Sequence, residues 1–297
     1  MAADAIRSAL EDHLGLVVDE IKLTAGGDIN DAYRARTSAG EIFVKSSPGA
    51  QPGMFTDEAA GLEWLAVPDG VLVPDVVGVC DEAGAPRLLA LSWIETGRLD
   101  ARGEDELGRG LARMHMAGAP DFGATPTDGG GYAHSPMRFN ELSLPNDPKP
   151  TWAEFYAENR LLPLARASRD RGALDPEDVR LIERVAERMP ELAGPEEDPA
   201  RTHGDLWSGN VIAGVDGTPF LVDPVAHGGH REVDLALLTV FGGPSEACFA
   251  AYDEVFPRAD GHAERTELWQ LAMILLHVYL FGGSYTTQAR MIAQRYA

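Results

Sequence analysis

Residues 201–211 read RTHGDLWSGNV, and residues 210–224 continue as NVIAGVDGTPFLVDP. The first stretch sets His203, Asp205 and Asn210 among glycines, a texture that suits a tight polar loop better than a helix or a buried strand. The second is two short apolar runs around Asp216-Gly217, a dipeptide that favours a type I′ hairpin turn. A hairpin this short returns the chain on itself, so Asp223 at its end comes back beside Asn210 at its start. Any one of these residues could be a turn cap. The ordered set places a carboxylate, Asp205, next to a pair of hard oxygen donors, Asn210 and Asp223.

That constellation has a chemical reading. Transfer of a phosphoryl group to an alcohol needs a carboxylate to accept the hydroxyl proton, and oxygen ligands to hold Mg²⁺ against the polyphosphate. Asp205 suits the first role and Asn210 with Asp223 the second. The spacing His203-x-Asp205, then Asn210 five residues on, is that of a kinase catalytic loop. His203 reads as a structural tie within the loop, since Asp205 is the better-placed base.

A kinase also needs a cation on a sheet to meet the ATP phosphates, and an acid on a helix to hold that cation. Lys45 lies at the end of the apolar strand EIFVK, and Glu58 follows thirteen positions later in MFTDEAAGLEWLA, whose apolar residues recur at helical spacing. The turn AGGDIN, with Gly26 and Gly27, stands where exposed backbone N–H groups would cover the phosphates. LALSWIE stands where the connection between lobes should run, and the backbone of Leu91, Trp93 and Ile94 is placed to meet an adenine edge.

Around these residues the chain divides in two. Three strands, the helix just named and two further strands, VLVPDVVGVCD and PRLLALSWI, form a small antiparallel sheet in residues 1–95. Residues 96–297 are mainly helical. The expected fold class is therefore α+β, with a protein-kinase-like two-lobed architecture and a nucleotide cleft between the lobes. Residues 119–150, rich in Gly and Pro, are long for a simple connection and read equally as a lid or as disorder.

Bulk properties narrow the function further. There are 25 basic and 47 acidic residues, a formal net charge of −22, which opposes binding to a nucleic-acid backbone. The longest strongly apolar stretch, Leu271 to Phe281, contains His277 and is too short to span a bilayer, so no membrane role is expected. Cys80 and Cys248 are the only cysteines, and no disulfide framework is available; a cytoplasmic location is the simplest expectation.

HGDLWSGNV, VDPVAHGGHREVDLALLTVFGG, GGDINDAYRA, IFVKSS, MFTDEAAGLEWL and LLHVYLFGGSY together resemble the fructosamine kinase (ketosamine 3-kinase) family, within the aminoglycoside phosphotransferase-like kinases. The pieces span nearly the whole chain. The sharpest is Trp207, directly after Asp205-Leu206. The resemblance implies ATP-dependent phosphorylation of a sugar hydroxyl on a glycated amine or glycated lysine, with His230 facing the acceptor and Trp207 either a wall against the sugar or, equally, a buried aromatic that supports the loop. Within GHREVDLA an acid should brace the catalytic loop, although Glu232 and Asp234 serve equally well as helix N-caps. Many relatives carry a cysteine where this chain has Asp28. The nearest rival reading is an aminoglycoside or other amino-alcohol phosphotransferase; a nucleotide-binding pseudokinase module is a second, which would have no need of Asp205.

Overall fold

The computed structural model describes residues 2–24, 31–139 and 141–297. Gly26, Gly27 and Asp28 lie outside the described residues. Helix α1 (Ala2–Leu14) precedes a fully antiparallel sheet of β1 (Val18–Thr24), β2 (Asp31–Thr37), β3 (Gly40–Ser46), β4 (Val76–Cys80) and β5 (Leu88–Ser92), in the order β1-β2-β3-β5-β4. Helix α2 (Met54–Leu65) is inserted after β3, as expected.

Strand alternation decides which face each residue serves. Ile42 and Val44 of β3 pack with Ile6 and Leu10 of α1, while Phe43 packs with Phe55 and Leu62 of α2 on the opposite face. Lys45 therefore falls on the α2 side. On α2, Phe55, Glu58, Ala59 and Leu62 are all buried, the i, i+3, i+4, i+7 stripe that faces the sheet.

After the connector at 93–100 come α3 (Ala101–Met116) and two small ribbons, β6 (Thr125–Pro126) with β7 (Tyr132–Ala133) and β8 (Met137–Phe139) with β9 (Leu142–Leu144). The long 119–150 segment is tied down rather than loose. Gly123 N–H donates to Gly228 O and Gly228 N–H to Ala124 O, both at 2.7 Å, and Asn146 Nδ2 donates to Ser135 O at 2.7 Å.

The helical run from Trp152 to Asp170 is broken into α4 (Trp152–Tyr156), a π-helical turn at Ala157–Leu161, and α5 (Leu162–Asp170). Pro163 is the cause. It has no N–H for the carbonyl of Asn159, four residues back, and that carbonyl instead accepts from Arg160 Nη1 at 3.0 Å. The widened turn seats Arg160 in the interior. Arg160 Nη1 also donates to Pro145 O at 2.7 Å and Nη2 to Asn146 Oδ1 at 2.6 Å, so the break in the helix is also a clamp on the preceding segment.

The remaining elements are α6 (Pro176–Leu192), β10 (Ala200–Thr202), β11 (Val211–Ala213), β12 (Pro219–Leu221), β13 (His227–Gly229), α7 (Arg231–Leu237), α8 (Glu246–Val255), α9 (His262–Phe281) and α10 (Ser284–Tyr296). Helix α10 was not anticipated from sequence. Helices α4, α5, α6, α9 and α10 enclose the main helical core. A second core crosses between the lobes: Trp64, Leu65 and Val71 pack with Leu107, Leu111, Leu206, Leu221 and Tyr252. Helix α2 is thereby packed against Leu206 of the 203–210 loop. No helix among the described residues is long and apolar enough to cross a membrane.

A buried ion pair ties α7 to α9. Glu232 accepts from Arg265 Nε at 2.9 Å and Nη2 at 2.7 Å, and from Trp269 Nε1 at 2.9 Å. Removing the acid strands a buried guanidinium, so Glu232→Ala should lower unfolding stability by about 3–5 kcal/mol. Denaturant titration followed by circular dichroism measures this, and a loss below ~1 kcal/mol would contradict it.

Candidate active site

Strands β10 and β13 pair antiparallel, from Ala200 with Gly229 to Thr202 with His227, and so hold the two ends of the catalytic segment side by side. His203 is buried, and its carbonyl accepts from Val225 N at 2.9 Å. Its ring has a consistent tautomer: Nε2–H donates to Val222 O at 2.9 Å, and Nδ1 accepts from Asp205 N at 3.3 Å. Burial pulls its pKa below the usual histidine value, which keeps the ring neutral and structural. Gly204 has φ +83°, and a Cβ there would stand 2.2 Å from Val225 O; only glycine permits this approach.

Asp234, on α7, fixes the loop from behind. Its carboxylate accepts from His203 N at 2.6 Å and Gly204 N at 3.0 Å, and it meets His115 Nε2 at 3.3 Å. His115 Nδ1 in turn lies 2.8 Å from Tyr252 Oη. Burial opposes ionisation of Asp234, but the His115 hydrogen bond and charge and the backbone N–H of His203 outweigh it and hold the pKa below the usual carboxylate value. The brace is Asp234, and the N-cap of α7 is neither acid but His230, whose Nδ1 accepts from Glu232 N at 3.3 Å.

The functional side chains converge in front of this brace. Asn210 Nδ2 donates to Asp205 O at 2.7 Å and to Asp205 Oδ2 at 3.2 Å. Those bonds orient the amide and leave its Oδ1 without a hydrogen bond among the described residues. Val222 N–H donates to Asn210 O at 3.1 Å, which draws the Asp223 end of the hairpin to Asn210 as expected. The hairpin turn itself differs from type I′: Gly217 N–H donates to Gly214 O at 2.9 Å, and only Gly217 of the Asp-Gly pair has positive φ, so a type I turn closes on a left-handed glycine. Asp223 itself has φ 55°, a sparsely populated conformation for a residue other than glycine.

Lys45 Nζ lies 2.9 and 3.1 Å from the two oxygens of Glu58 and 3.0 Å from Asp223 Oδ1. Burial would pull the ammonium pKa down; Glu58 and Asp223 together outweigh that and hold it above the usual lysine value. The cation of the sheet, the acid of α2 and the acid of the hairpin thus meet at one point. Asp223 remains half exposed. Its carboxylate and the free Asn210 Oδ1 are hard neutral and anionic oxygens of the kind that Mg²⁺ takes.

Asp205 is strongly perturbed by its surroundings. Burial raises its pKa to about 7, with the charges of Asp223 and Asp234 acting in the same direction against the Asn210 hydrogen bond and Lys45. A carboxylate that titrates near neutrality is matched to general-base work.

Trp207 is 37% exposed, and its ring lies over Gly209, where a Cβ would come within 2.1 Å of the indole. It stands edge-to-face with Phe241 at 5.9 Å, and Phe241 with His277 at 5.4 Å. The solvent-facing placement favours an acceptor wall over a buried support. His230 is not brought to this surface: it is 3% exposed, stacked on Trp269 at 5.5 Å, and carries a pKa lowered by burial to about 4. Leu91 is paired within the sheet on both sides, and Trp93 N–H is donated to Glu41 O at 3.2 Å, so the sheet ladder ends just ahead of Ile94. His115, Tyr252, Phe241 and His277 were missed from sequence. His115 carried one signal, a histidine within the apolar periodicity of α3.

The fructosamine kinase family model matches residues 2–297. The chain belongs to the fructosamine kinase family. It is 32% identical over 281 residues to the Synechocystis protein named a probable ketoamine kinase, covering 94% of this chain and 90% of the relative. It is 32% identical to the chloroplastic protein-ribulosamine 3-kinase of Arabidopsis thaliana, covering 100% of this chain and 88% of the relative. The crystal structure of the Thermobifida fusca protein assigned as a fructosamine-3-kinase superposes with a TM-score of 0.87 at 40% identity, covering 98% of each chain. The aminoglycoside phosphotransferase APH(4)-Ia, solved with ADP and hygromycin B, shares the fold at 14% identity and a TM-score of 0.63, covering 99% of each chain. The two-lobed kinase-like α+β architecture and the ATP-dependent phosphotransferase class follow.

A family kinase whose base has a pKa of about 7 should show a rising pH profile. With Asp205 as the proposed base, acceptor kcat/KM is expected to climb about tenfold per pH unit below pH ~6 and to level off above pH ~8, because only an ionised carboxylate accepts a proton. The same shift costs stability. The folded pKa lies above the unfolded value, so the penalty is absent below pH ~4 and complete above pH ~7. Asp205→Asn should therefore stabilise the fold by about 1–2 kcal/mol at pH 8, after allowance for solvent screening, and by nothing at pH 4. Thermal unfolding at the two pH values checks this, and equal effects at both would contradict it.

Proposed function

We propose that this protein transfers the γ-phosphoryl group of ATP to a sugar hydroxyl of a ketosamine, a fructosamine or ribulosamine, with Mg²⁺ as the metal. The observation that carries the reading is the convergence of Lys45, Glu58 and Asp223 in front of a catalytic loop whose Asp205 titrates near neutrality. Residues 1–95 act as the nucleotide lobe and residues 96–297 as the catalytic and acceptor lobe.

Asp205 accepts the proton of the attacking hydroxyl, with its carboxylate aimed by Asn210 Nδ2. Lys45, held by Glu58, meets the phosphates of ATP and carries positive charge to where negative charge builds up. Asn210 Oδ1 and the Asp223 carboxylate would hold Mg²⁺, which when bound would neutralise charge on the polyphosphate. Lys45 also donates to Asp223 Oδ1, which orients the acid toward the proposed phosphate site. The backbone at Trp93 and Ile94 faces the adenine edge, and Gly26 and Gly27 lie in the segment assigned to cover the phosphates. Trp207, flanked by Phe241, offers a flat apolar surface beside Asp205 on which the face of a compact sugar packs. The excess of acidic residues favours an acceptor carrying an amine.

Incubation with ATP and Mg²⁺ should phosphorylate fructosyl-lysine or ribulosyl-lysine measurably, with little or no transfer to kanamycin. Trp207→Ala should lose most of the ketosamine activity, about tenfold or more, and keep ATP affinity. Mass spectrometry of the products decides between the substrate classes. Faster turnover of kanamycin than of either ketosamine would overturn the acceptor assignment.

A further inference from the structure

Beneath the clamped 119–147 segment is a cavity of about 60 Å³. Its lining includes Gly204, the residue before Asp205, together with Arg160 and Trp152; Met137, Leu144 and Leu276 contribute apolar wall. The sequence reading left both Arg160 and this space without a role, and the catalytic groups described above do not fill it.

Arg160 is 5% exposed, yet no carboxylate among the described residues forms an ion pair with it. Its hydrogen bonds are made by the two terminal nitrogens to neutral acceptors: the carbonyls of Pro145 and Asn159, and Asn146 Oδ1. Its Nε–H has no acceptor among the described residues. A buried guanidinium is ordinarily balanced by an acid. Here burial pulls its pKa down to about 9, which reflects the missing counter-charge. Trp152 lines the same cavity and is 6% exposed, and its indole N–H is a buried donor left without an acceptor among the described residues. A buried cation without a counter-charge and one buried unpaired donor, on the lining of the same cavity, call for an anionic oxygen ligand. The space admits several water-sized groups, which suits a carboxylate with a short aliphatic group.

We propose that this cavity is a carboxylate subsite for the amino component of the acceptor, in which Arg160 and Trp152 bind the carboxylate of a glycated α-amino acid. The inference rests on the ketosamine reading. In a glycated α-amino acid the carboxylate stands one carbon from the ketosamine nitrogen, whereas a glycated lysine side chain has none nearby. The subsite therefore favours glycated α-amino acids with a small apolar side chain, placed against Met137, Leu144 and Leu276, over glycated lysine.

The experiment compares N-fructosyl-valine with N-fructosyl-valinamide, by calorimetric binding and by kcat/KM. The acid should be preferred by about tenfold or more, the range for a charge-assisted pair. Trp152→Phe removes the N–H and keeps the ring, and Arg160→Met removes the charge. Each should move the acid-to-amide ratio toward one, with ATP affinity unchanged. Arg160→Met also loses the clamp on residues 145–146, so the Trp152→Phe ratio and the wild-type ratio decide the matter if that variant does not fold. A wild-type ratio near one, or a ratio that survives Trp152→Phe, overturns the subsite. If acid, amide and fructosyl-lysine are all neither bound nor phosphorylated, the ketosamine reading falls and the subsite with it; if all three react alike, the subsite alone falls.

Discussion

The carboxylate of Asp234 is the anchor on which the active site depends. It is fully buried and receives the backbone N–H groups of His203 and Gly204, with His115 as its third partner. Those contacts compensate a charge that burial would otherwise penalise, and a bond made in a water-poor interior holds its geometry firmly. Because Gly204 is locked from behind and cannot carry a side chain, Asp205 is presented on the front of the loop. Asn210 then aligns on Asp205, and the hairpin leads from Asn210 to Asp223. The chain His115–Asp234–loop–hairpin ties α3 and α7 to the loop that carries Asp205 and to the hairpin that ends at Asp223.

The nucleotide side is joined to this frame by one cation. Lys45 reaches from the sheet to both Glu58 and Asp223, so a single ammonium bridges β3, α2 and the end of the hairpin. The core shared by Trp64, Leu65, Leu111, Leu206 and Leu221 fixes the same relationship through apolar packing. With both in place, the sheet lobe sits in register with the catalytic loop through contacts of two independent kinds, one electrostatic and one hydrophobic.

Much of this was legible in the sequence because it is local or periodic. The loop and hairpin fall within 24 consecutive residues, from 201 to 224, and turn chemistry alone brings Asn210 to Asp223. Strand alternation puts Lys45 on the face that α2 covers, and helical periodicity puts Glu58 on the matching side. What escaped was set at long range. The resemblance turns His230 toward the acceptor, but packing of Trp152 and Trp269 draws it inside as a helix cap. Residues 119–150 look loose because their fastenings, Arg160 and Gly228, come later in the chain. The exchange of a type I′ turn for a type I turn with a left-handed glycine is a choice that Asp-Gly permits either way.

Replacement of the base separates chemistry from binding most directly. In Asp205→Asn, ATP affinity measured by calorimetry should stay within about twofold of wild type, while the rate of phosphoryl transfer from labelled ATP to fructosyl-valine falls at least about a hundredfold. A variant that retains more than half of the wild-type rate would contradict the assignment of Asp205 as the group that accepts the acceptor's proton.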